Sequence, residues 1–368
     1  MNKTIDRETL RKKLEEGAPL TILDVRTDEE REEWAIPDSI HANVYDALKA
    51  GDPDALEGID VPDDRPVVTV CGAGKTSLVA AEQLQERGIE AASLDGGMRA
   101  WSLAWNTAEV DISDSHISVL QIRRTGKGCL SYLIAAQGRA AVIDAALDPQ
   151  IYLDLAEERG WTITHVLDTH VHADHLSRGR LLAEQAGAAY HLPAQDRVTY
   201  QHDPIRHGDT LAIGSARLEA VHTPGHTLES TCYLLGERVI FTGDTLFLAG
   251  VGRPDLEADA AAARERAHLL YGSLQQLLAL PAETLVLPGH TGEPVPFDGE
   301  PIAATLGDVR SNAPLLGVPE DKFVETLLDR IPPTPPNHDR IVRLNEAGRM
   351  PDGDLIDLEA GANRCAIQ

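Results

Sequence analysis

The segment THVHADH, residues 169–175, constrains the fold of this chain more than any other. It places His170, His172, Asp174 and His175 directly after an apolar run that predicts a buried strand. The end of a strand needs no such group of polar side chains for its own stability. Neutral imidazoles and a carboxylate can share a buried position when they surround a cation. The segment therefore predicts a metal centre at the end of a strand.

Three more candidate ligands follow strand-like segments later in the chain: His226 in TPGHT, Asp244 in FTGDTLF and His290 in LPGHT. Each comes after a turn of small residues, where a side chain can reach inward. Histidine and aspartate suit zinc and iron alike, so the ligand types alone leave the metal open. The seven positions could fill two zinc sites bridged by Asp244, or a subset of them could hold one iron.

A second chemical signal is VVTVCGAGKTSL, residues 67–78. It predicts a strand, a Gly-rich turn and a helix, which together offer backbone N–H groups to an anion. The Walker nucleotide pattern needs a glycine five positions before Gly74, where Thr69 stands instead. The turn opens with Cys71, and a thiol facing N–H groups and a helix N-terminus should be a thiolate near neutrality. A reactive thiol is thus predicted, with a small buried cysteine as the alternative.

The length of 368 residues exceeds what one core usually supports, so two domains are expected. Residues 1–105 alternate helix-like and strand-like stretches, which predicts a small α/β domain with a parallel sheet. Residues 106–115 are interpreted as a linker. The strands and helices of residues 116–300 favour an αββα sandwich, and residues 301–368 are predicted to form a helical extension of it.

Composition excludes several classes of partner. The formal net charge of −26 argues against nucleic acid and anionic membranes. No apolar run approaches the ~20 residues of a membrane span, and the charged N-terminus has no apolar signal core. We therefore expect a soluble, cytoplasmic protein. Four scattered cysteines do not make a disulfide scaffold, and Cys129, Cys232 and Cys365 are expected to pack as small hydrophobes.

Three motifs in the first 105 residues, LDVRTDEEREEW, CGAGKTS and LDGGMRAW, resemble in order and spacing those of a rhodanese (sulfurtransferase) domain. The resemblance implies that Cys71 carries a persulfide sulfur. The N–H groups that would hold this sulfur belong to Gly72, Ala73, Gly74, Lys75 and Thr76. The chain departs from the family at two points. Asp38-Ser39 stands where the family has Gly-Ala, and Lys75 is a single loop cation where thiosulfate-using members often have two.

The seven candidate ligands, in their order, resemble the metallo-β-lactamase superfamily over about residues 112–300. This superfamily includes dinuclear zinc hydrolases and mononuclear iron dioxygenases. The segment GDTLFLAGVGRPDL has a Gly-Arg-x-Asp sequence after the candidate metal aspartate and resembles the persulfide dioxygenase branch. LYGSLQQLLALPAETLVLPGH and EDKFVETLLDRIPP are similar to the same branch.

This second resemblance implies one Fe(II) per chain, held by His170, His226 and Asp244. The remaining four candidates would surround that set or bind a second metal: His172, Asp174, His175 and His290. Arg253 would hold this surrounding shell or meet an anionic substrate, and an ion pair with Asp255 is the structural alternative.

The implied reaction is oxidation of a small persulfide, such as glutathione persulfide, by O₂ to sulfite and thiol. Sulfane-sulfur transfer through Cys71, with sulfite or thiosulfate as a partner, would be coupled to it. A sulfur carrier fused to a persulfide-oxidising site makes chemical sense, which favours this interpretation. The alternatives are a dinuclear zinc thioester hydrolase of the glyoxalase II type and a sulfur-sensing or carrier protein with one inert half. The resemblance also implies a homo-oligomer, a dimer or larger.

Overall fold

The computed structural model describes residues 3–335, 337–353, 355–361 and 364–367. Its N-terminal part has the predicted alternation of helices and strands, with these bounds: β1 (Thr4–Ile5), α1 (Arg7–Glu15), β2 (Thr21–Asp24), α2 (Asp28–Glu33), β3 (Ile40–His41), α3 (Tyr45–Ala50), β4 (Val67–Val70), α4 (Thr76–Glu86), β5 (Ala91–Leu94) and α5 (Gly97–Trp101).

The strands of this part form one sheet in the order β1-β5-β4-β2-β3, and all their pairings are parallel. Strands β2 and β4 are buried along their whole length, as strands covered on both faces must be. Cys71 directly follows β4, so it lies at the carboxyl edge of the sheet. This edge is where loops of an open α/β sheet carry chemistry. The predicted parallel α/β domain is confirmed.

The second part begins with a seven-stranded mixed sheet and two helices, which run β6 (Asn106–Val110), β7 (Ile117–Arg124), β8 (Cys129–Ala136), β9 (Arg139–Ile143), α6 (Pro149–Glu158), β10 (Thr162–Leu167), α7 (Gly179–Ala186), β11 (Ala189–Pro193) and β12 (Asp203–Ile205). The strands lie in sequence order, from β12 at one edge to β6 at the other.

The chain then forms a six-stranded sheet, ordered β13-β14-β15-β16-β18-β19, and a helix-rich tail. The bounds are β13 (Thr210–Ile213), β14 (Ala216–His222), β15 (Thr231–Leu235), β16 (Val239–Gly243), β17 (Val251–Gly252), α8 (Ala260–Leu278), β18 (Leu285–Pro288), β19 (Ala304–Thr305), α9 (Leu306–Asn312), α10 (Glu320–Asp329), α11 (His338–Ala347), α12 (Ile356–Glu359) and β20 (Ala366–Ile367).

The two sheets face each other across a shared apolar core. Tyr132 of β8 and Phe241 of β16 meet in it, edge to face, with ring centroids 4.9 Å apart. Helices α6 and α7 cover the outer face of the first sheet, while α8, α9 and α10 cover that of the second. The layers are therefore helix, sheet, sheet, helix, which confirms the predicted αββα sandwich. No helix within the described residues is long and apolar enough to cross a membrane.

One local prediction differs from the structure, and one helix was missed. The segment interpreted as a linker begins with strand β6, which pairs antiparallel with β7 and extends the first sheet. Its buried positions alternate with more exposed ones, as in a half-buried edge strand. The exposed connection is therefore confined to residues 111–116. Helix α6 was not predicted, although Asp148 caps its first turn and Pro149 follows at the first helical position.

Candidate functional site

The candidate metal ligands meet because strands of both sheets end at the same edge of the sandwich. The THVHADH segment follows β10, and the three later candidates follow β14, β16 and β18. Two glycines allow the strand ends that carry these candidate ligands to approach one another closely. A Cβ on Gly243, whose φ is 47°, would lie 2.5 Å from Thr169 Oγ1, and one on Gly289 would lie 2.8 Å from Asp244 Oδ1.

His170, His226 and Asp244 form one buried group whose candidate ligand atoms all lie within 4.8 Å of one another. Asp244 Oδ2 is 3.9 Å from His170 Nε2 and 3.7 Å from His226 Nε2. Two histidines and one carboxylate, clustered at a strand edge, are donors that suit either iron or zinc.

Hydrogen bonds fix the orientation of both imidazoles. His226 Nδ1 donates to the carbonyl of Arg253 at 2.8 Å. His170 Nδ1 donates to Thr169 Oγ1 at 2.9 Å, and that hydroxyl donates to Asp144 Oδ2 at 2.9 Å. Each imidazole therefore keeps its Nε2 lone pair directed away from these bonds and free for a metal.

The group has the protonation states and the unsatisfied atoms that a divalent cation requires. Burial and the neighbouring His172 lower the pKa of His170 well below its usual value, and burial lowers the pKa of His226. Although burial opposes ionisation, His290 keeps the pKa of Asp244 low. His170 Nε2 and Asp244 Oδ2 are buried, and neither atom has a hydrogen-bond partner among the described residues. Such orphaned atoms are costly unless an ion satisfies them, so these residues fit a metal.

Asp174, His175 and His290 form a second buried group, which the structure extends with Cys129. His290 joins the two groups, since its Nδ1 is 2.5 Å from Asp244 Oδ1 and its Nε2 is 2.9 Å from Asp174 Oδ2. Asp174 Oδ1 also accepts from His175 Nδ1 at 3.0 Å. Burial opposes protonation of His175, but Asp174 raises its pKa to about 10.

His172 belongs to neither group. Its nearest charged partner is Asp144, with Nε2 3.3 Å from Oδ1, and its candidate ligand atoms cluster with those of Asp144 and Asp168. Its ring lies close to both neighbouring imidazoles, 4.3 Å from the centroid of His170 and 4.2 Å from that of His175. The THVHADH segment thus divides its four polar side chains among three buried clusters.

Sequence reasoning missed four residues at this centre: Cys129, Cys365, Asp144 and Asp168. The expectation that Cys129 and Cys365 pack as small hydrophobes is wrong. Cys129 Sγ lies 3.6 Å from Asp174 Oδ2, and Cys365 clusters with Asp244 and His290. Although burial and Asp174 oppose ionisation, His290 and His175 lower the pKa of Cys129 to about 6. Cys232 does pack in the apolar core, as expected.

Arg253 is fully buried, and its side chain is committed to structural contacts. It binds Asp255 at 2.8 Å through both Nε and Nη2. Its other N–H groups donate to the carbonyls of Pro332, Pro333 and Arg364. The backbone of Arg253, through its carbonyl, orients His226. All five side-chain N–H groups are used, which leaves none for a substrate. Arg253 therefore has the structural role given as the alternative, an ion pair with Asp255.

Cys71 is 2 % exposed and opens the loop between β4 and α4. Ser77 Oγ donates to its Sγ at 3.2 Å. The predicted loop residues 72–76 lead directly into α4, with Lys75 at the N-cap. Backbone from the LDGGMRAW segment supports the loop, because Met98 N donates to the carbonyl of Cys71 at 2.8 Å and Arg99 N to that of Gly72 at 3.0 Å.

The Asp38-Ser39 departure has a clear local structure. Asp38 has a φ of 60°, a left-handed conformation that glycine adopts more readily. Ser39 Oγ donates to the carbonyl of Ile36 at 2.6 Å and accepts from Arg31 Nη1 at 2.8 Å. Arg31 also reaches Asp24 at 3.2 Å. The hydroxyl therefore ties this turn to the end of β2, which alanine could not do.

The sequence matches two family profiles. The Metallo-beta-lactamase superfamily covers residues 124–290, and the Rhodanese-like domain covers residues 6–104. A hydroxyacylglutathione hydrolase from Rhodospirillum rubrum is 38% identical over 188 residues, which span 49% of this chain and 63% of that protein. The chain thus spans less than two thirds of this relative's length.

A hydroxyacylglutathione hydrolase from Nitrosococcus oceani is 34% identical over 221 residues, which span 54% of this chain and 76% of that protein. Among solved structures, ETHE1 from Myxococcus xanthus is 32% identical with a TM-score of 0.54, over 62% of this chain and 97% of that one. The chain therefore belongs to the metallo-β-lactamase superfamily and carries a rhodanese-like domain before its sandwich.

Proposed function

We propose that this protein oxidises a small persulfide, such as glutathione persulfide, at a single ferrous ion held by His170, His226 and Asp244. The net reaction is R–S–SH + O₂ + H₂O → R–SH + SO₃²⁻ + 2H⁺. We further propose that Cys71 transfers sulfane sulfur within the same chain, with sulfite or thiosulfate as its small-molecule partner.

The observation that carries the proposal is the compact group of His170, His226 and Asp244, whose candidate ligand atoms all lie within 4.8 Å of one another. A dinuclear zinc centre would also use His172, which clusters with Asp144 and Asp168 and whose two buried ring nitrogens have no hydrogen-bond partner among the described residues. Two imidazoles and one carboxylate are the usual ligands of non-haem ferrous oxygenases and leave metal positions open for substrates. The resemblance of GDTLFLAGVGRPDL to the persulfide dioxygenase branch supports the same choice.

The chain's own residues determine the net charge of such a centre and provide a group that can accept and hold a proton. When bound, a ferrous ion would supply the redox chemistry that brings both atoms of O₂ to the terminal sulfur of the persulfide. Two neutral imidazoles and one carboxylate contribute one negative charge, so a divalent cation in this group keeps one positive charge for an anionic persulfide. His290 lies between Asp244 and Asp174 and can hold a proton on Nδ1 and on Nε2, beside the site where the reaction releases protons.

A cavity of about 220 Å³ reaches this centre at His290, and we call it the entry cavity. Phe247, Leu248 and Ile302 give it apolar walls, and Glu293 lies at its side. Its mixed lining suits the aliphatic and polar parts of a small thiol, so we propose that the persulfide enters here.

One observation favours the alternative, a dinuclear zinc thioester hydrolase. Cys129, Asp174, His175 and His290 supply four buried donors in one cluster, including a thiol that zinc prefers. Two similar proteins are named hydroxyacylglutathione hydrolase. On this alternative, the protein would retain two metals and hydrolyse a glutathione thioester without O₂.

Metal analysis of anaerobically purified protein, paired with O₂ uptake on adding glutathione persulfide, tests the proposal. We expect one iron per chain, rapid uptake and one sulfite for each O₂ consumed. Two zincs per chain, no uptake and hydrolysis of S-lactoylglutathione would establish the alternative. The monomer or oligomer state, predicted as a homo-oligomer, can be measured by light scattering on the same sample.

A further inference from the structure

We propose that sulfite formed at the metal centre passes to a persulfide on Cys71 through one cleft between the two domains, before it mixes with the solvent. This inference rests on the proposed function. It assigns a transfer route, a small-anion site and a direction of sulfur flow that the two reactions alone do not require.

Two adjoining cavities at the domain junction carry the argument. The metal-side cavity, about 130 Å³, has Asp174 and Lys127 on its wall. The loop-side cavity, about 220 Å³, has Gly72 on its wall, directly after Cys71. Glu33, Ala360 and Gly361 line both cavities. The two cavities therefore adjoin each other on either side of a short stretch of the C-terminal tail, one beside Asp174 of the second buried group and the other beside the loop that Cys71 opens.

The tail segment that forms this common wall is firmly held. Lys127 Nζ donates to the carbonyl of Glu359 at 2.8 Å and reaches that of Gly361 at 3.4 Å. The buried Glu359 carboxylate pairs with Arg124 at 2.9 Å and with Arg178. On the rhodanese side, Arg99 pairs with Asp357 at 2.7 Å. The wall is thus bound to both domains at once.

The two domains are also docked directly beneath the wall. Trp34 Nε1 donates to the carbonyl of Thr125 at 3.0 Å, and Arg124 Nε donates to that of Ser102 at 2.7 Å. Gly126 lies so close to Trp101 that an added Cβ would be 1.9 Å from its carbonyl oxygen. These close contacts between the two domains fix the position of one cavity relative to the other.

Charge favours an anion in the metal-side cavity. Glu33 is matched by Arg364 at 2.7 Å, and both oxygens of Asp174 already contact imidazole nitrogens, Oδ1 that of His175 at 3.0 Å and Oδ2 that of His290 at 2.9 Å. Lys127 is only 4 % exposed, and over the described part of the chain its ammonium has carbonyl partners but no carboxylate within ion-pair distance. A buried ammonium without an opposite charge attracts a small anion.

Size selects sulfite over the thiol carrier. A volume of about 130 Å³ corresponds to roughly four water molecules at ~30 Å³ each. Sulfite has four non-hydrogen atoms, whereas a tripeptide thiol is several times larger. The larger persulfide can use the entry cavity at His290, and the metal-side cavity can then serve the product.

The chemistry at Cys71 balances without a further oxidant. A second persulfide loads the thiolate, R–S–SH + Cys71–S⁻ → R–SH + Cys71–S–S⁻. The lone pair on the sulfite sulfur then attacks the outer sulfur, so that a new S–S bond forms and the old one breaks. The electron pair of the broken bond returns to Cys71 as thiolate, and thiosulfate leaves.

An isotope-dilution experiment on the iron-loaded full chain tests this route. Glutathione persulfide labelled with ³⁴S in its sulfane sulfur is supplied together with about a tenfold excess of unlabelled sulfite, and thiosulfate is analysed by mass spectrometry. Free mixing limits doubly labelled thiosulfate to roughly one tenth, whereas transfer between neighbouring sites raises it at least about threefold above that value. A Cys71→Ser variant measures the uncatalysed background.

Two variants act on the route without touching either reacting centre. Ala360→Trp places a large side chain on the exposed common wall, and Lys127→Met removes the buried charge. Both should return the doubly labelled fraction towards the mixing value while O₂ uptake and thiosulfate formation from bulk sulfite persist. The matched control Ala261→Trp is on the exposed face of α8 and lines neither cavity, so it should keep the excess label.

The outcomes separate the inference from the function on which it rests. Normal O₂ uptake with a wild-type label at the mixing value would overturn direct transfer and leave the dioxygenase intact. Loss of O₂ uptake in the wild-type holoenzyme would overturn the proposed function, and the inference with it. Excess label that survives both Ala360→Trp and Lys127→Met would refute the assignment of this cleft as the route.

Discussion

His170 and His172 are two residues apart, yet their side chains have different partners and should respond differently to substitution. His170 faces Asp244, while His172 lies beside Asp144. If one iron is held by the three-residue group, His170→Asn removes a ligand and should abolish iron retention. His172→Asn should keep the iron, with an affinity lowered by about 10–100-fold, because it only perturbs the surroundings.

Iron content after anaerobic dialysis against a graded chelator series measures both effects. Equal loss of metal from the two variants would show that His172 is a ligand, and this result would favour the dinuclear alternative. An unchanged affinity in His170→Asn would contradict the three-residue group itself.

Cys71 should be separable from the metal centre by a single atom change. Serine conserves the size of the side chain and its contact with Ser77, but it cannot carry a sulfane sulfur. We expect Cys71→Ser to lose sulfur transfer between persulfide and sulfite to the level of the uncatalysed reaction. O₂ uptake with saturating glutathione persulfide should persist, and a matched loss of both activities would refute independent sites.

The sequence could predict the candidate metal ligands because each stands at the end of a recognisable strand, next to a turn of small residues. It could not predict Cys129, which starts a mostly apolar strand whose local sequence contains no other candidate metal ligand. Its partner Asp174 is 45 residues away and reaches it only through the pairing of β8, β9 and β10. The division of the THVHADH side chains likewise depends on Asp144, which approaches from the end of β9.

At the scale of elements, α12 is a helix of one turn whose position depends on the charge of Glu359. Burial opposes ionisation of this carboxyl group, but Arg178 and Arg124 lower its pKa to about 2 from an ordinary 4.5. A lowered folded-state pKa stabilises the fold above pH 4.5, and this contribution is lost as the pH falls from 4.5 towards 2. The element that walls both cavities should therefore loosen in acid.

Glu359→Gln tests this dependence. Loss of one partner in a buried ion-pair network costs about 3–5 kcal/mol, so the variant should unfold at markedly lower urea concentration near neutral pH. The difference from wild type should shrink as the pH falls below 4.5, because the wild-type carboxylate becomes protonated. Glu237→Gln, at an exposed turn, is the control and should show no such pH-dependent difference. A constant difference across the pH range would contradict the assignment.

Strands and long helices were predictable because their apolar periodicity reflects burial that the fold preserves. The edge strand β6 was missed because its buried positions include Asn106 and Ala108, which do not read as a hydrophobic alternation. The burial of Asn106 depends on a distant partner, since its amide donates to the carbonyl of Pro296 at 2.9 Å. Such a strand is stabilised by tertiary contacts, so its local sequence does not predict it.

At the scale of the whole molecule, direct transfer between the two sites requires that the two domains keep a fixed relative position. Gly126 provides the sharpest test, because an added Cβ would be 1.9 Å from the carbonyl oxygen of Trp101 and 2.6 Å from its carbon. Backbone atoms cannot move aside as a flexible side chain can. Gly126→Ala should therefore push the domains apart, at a cost of about 1–3 kcal/mol for an overpacked contact.

Gly126→Ala should impair direct transfer between the two sites but not the reaction at either site. Hydrogen exchange should accelerate in the peptides around residues 98–106 and 124–128, and the excess of doubly labelled thiosulfate should disappear. O₂ uptake and sulfur transfer from bulk persulfide should persist, since Gly126 is neither a candidate metal ligand nor part of the Cys71 loop. Gly272→Ala, where an added Cβ meets nothing within 4 Å on helix α8, should leave exchange and labelling unchanged. Excess label retained in Gly126→Ala, despite faster exchange at the junction, would mean that transfer between the sites does not require fixed docking of the domains.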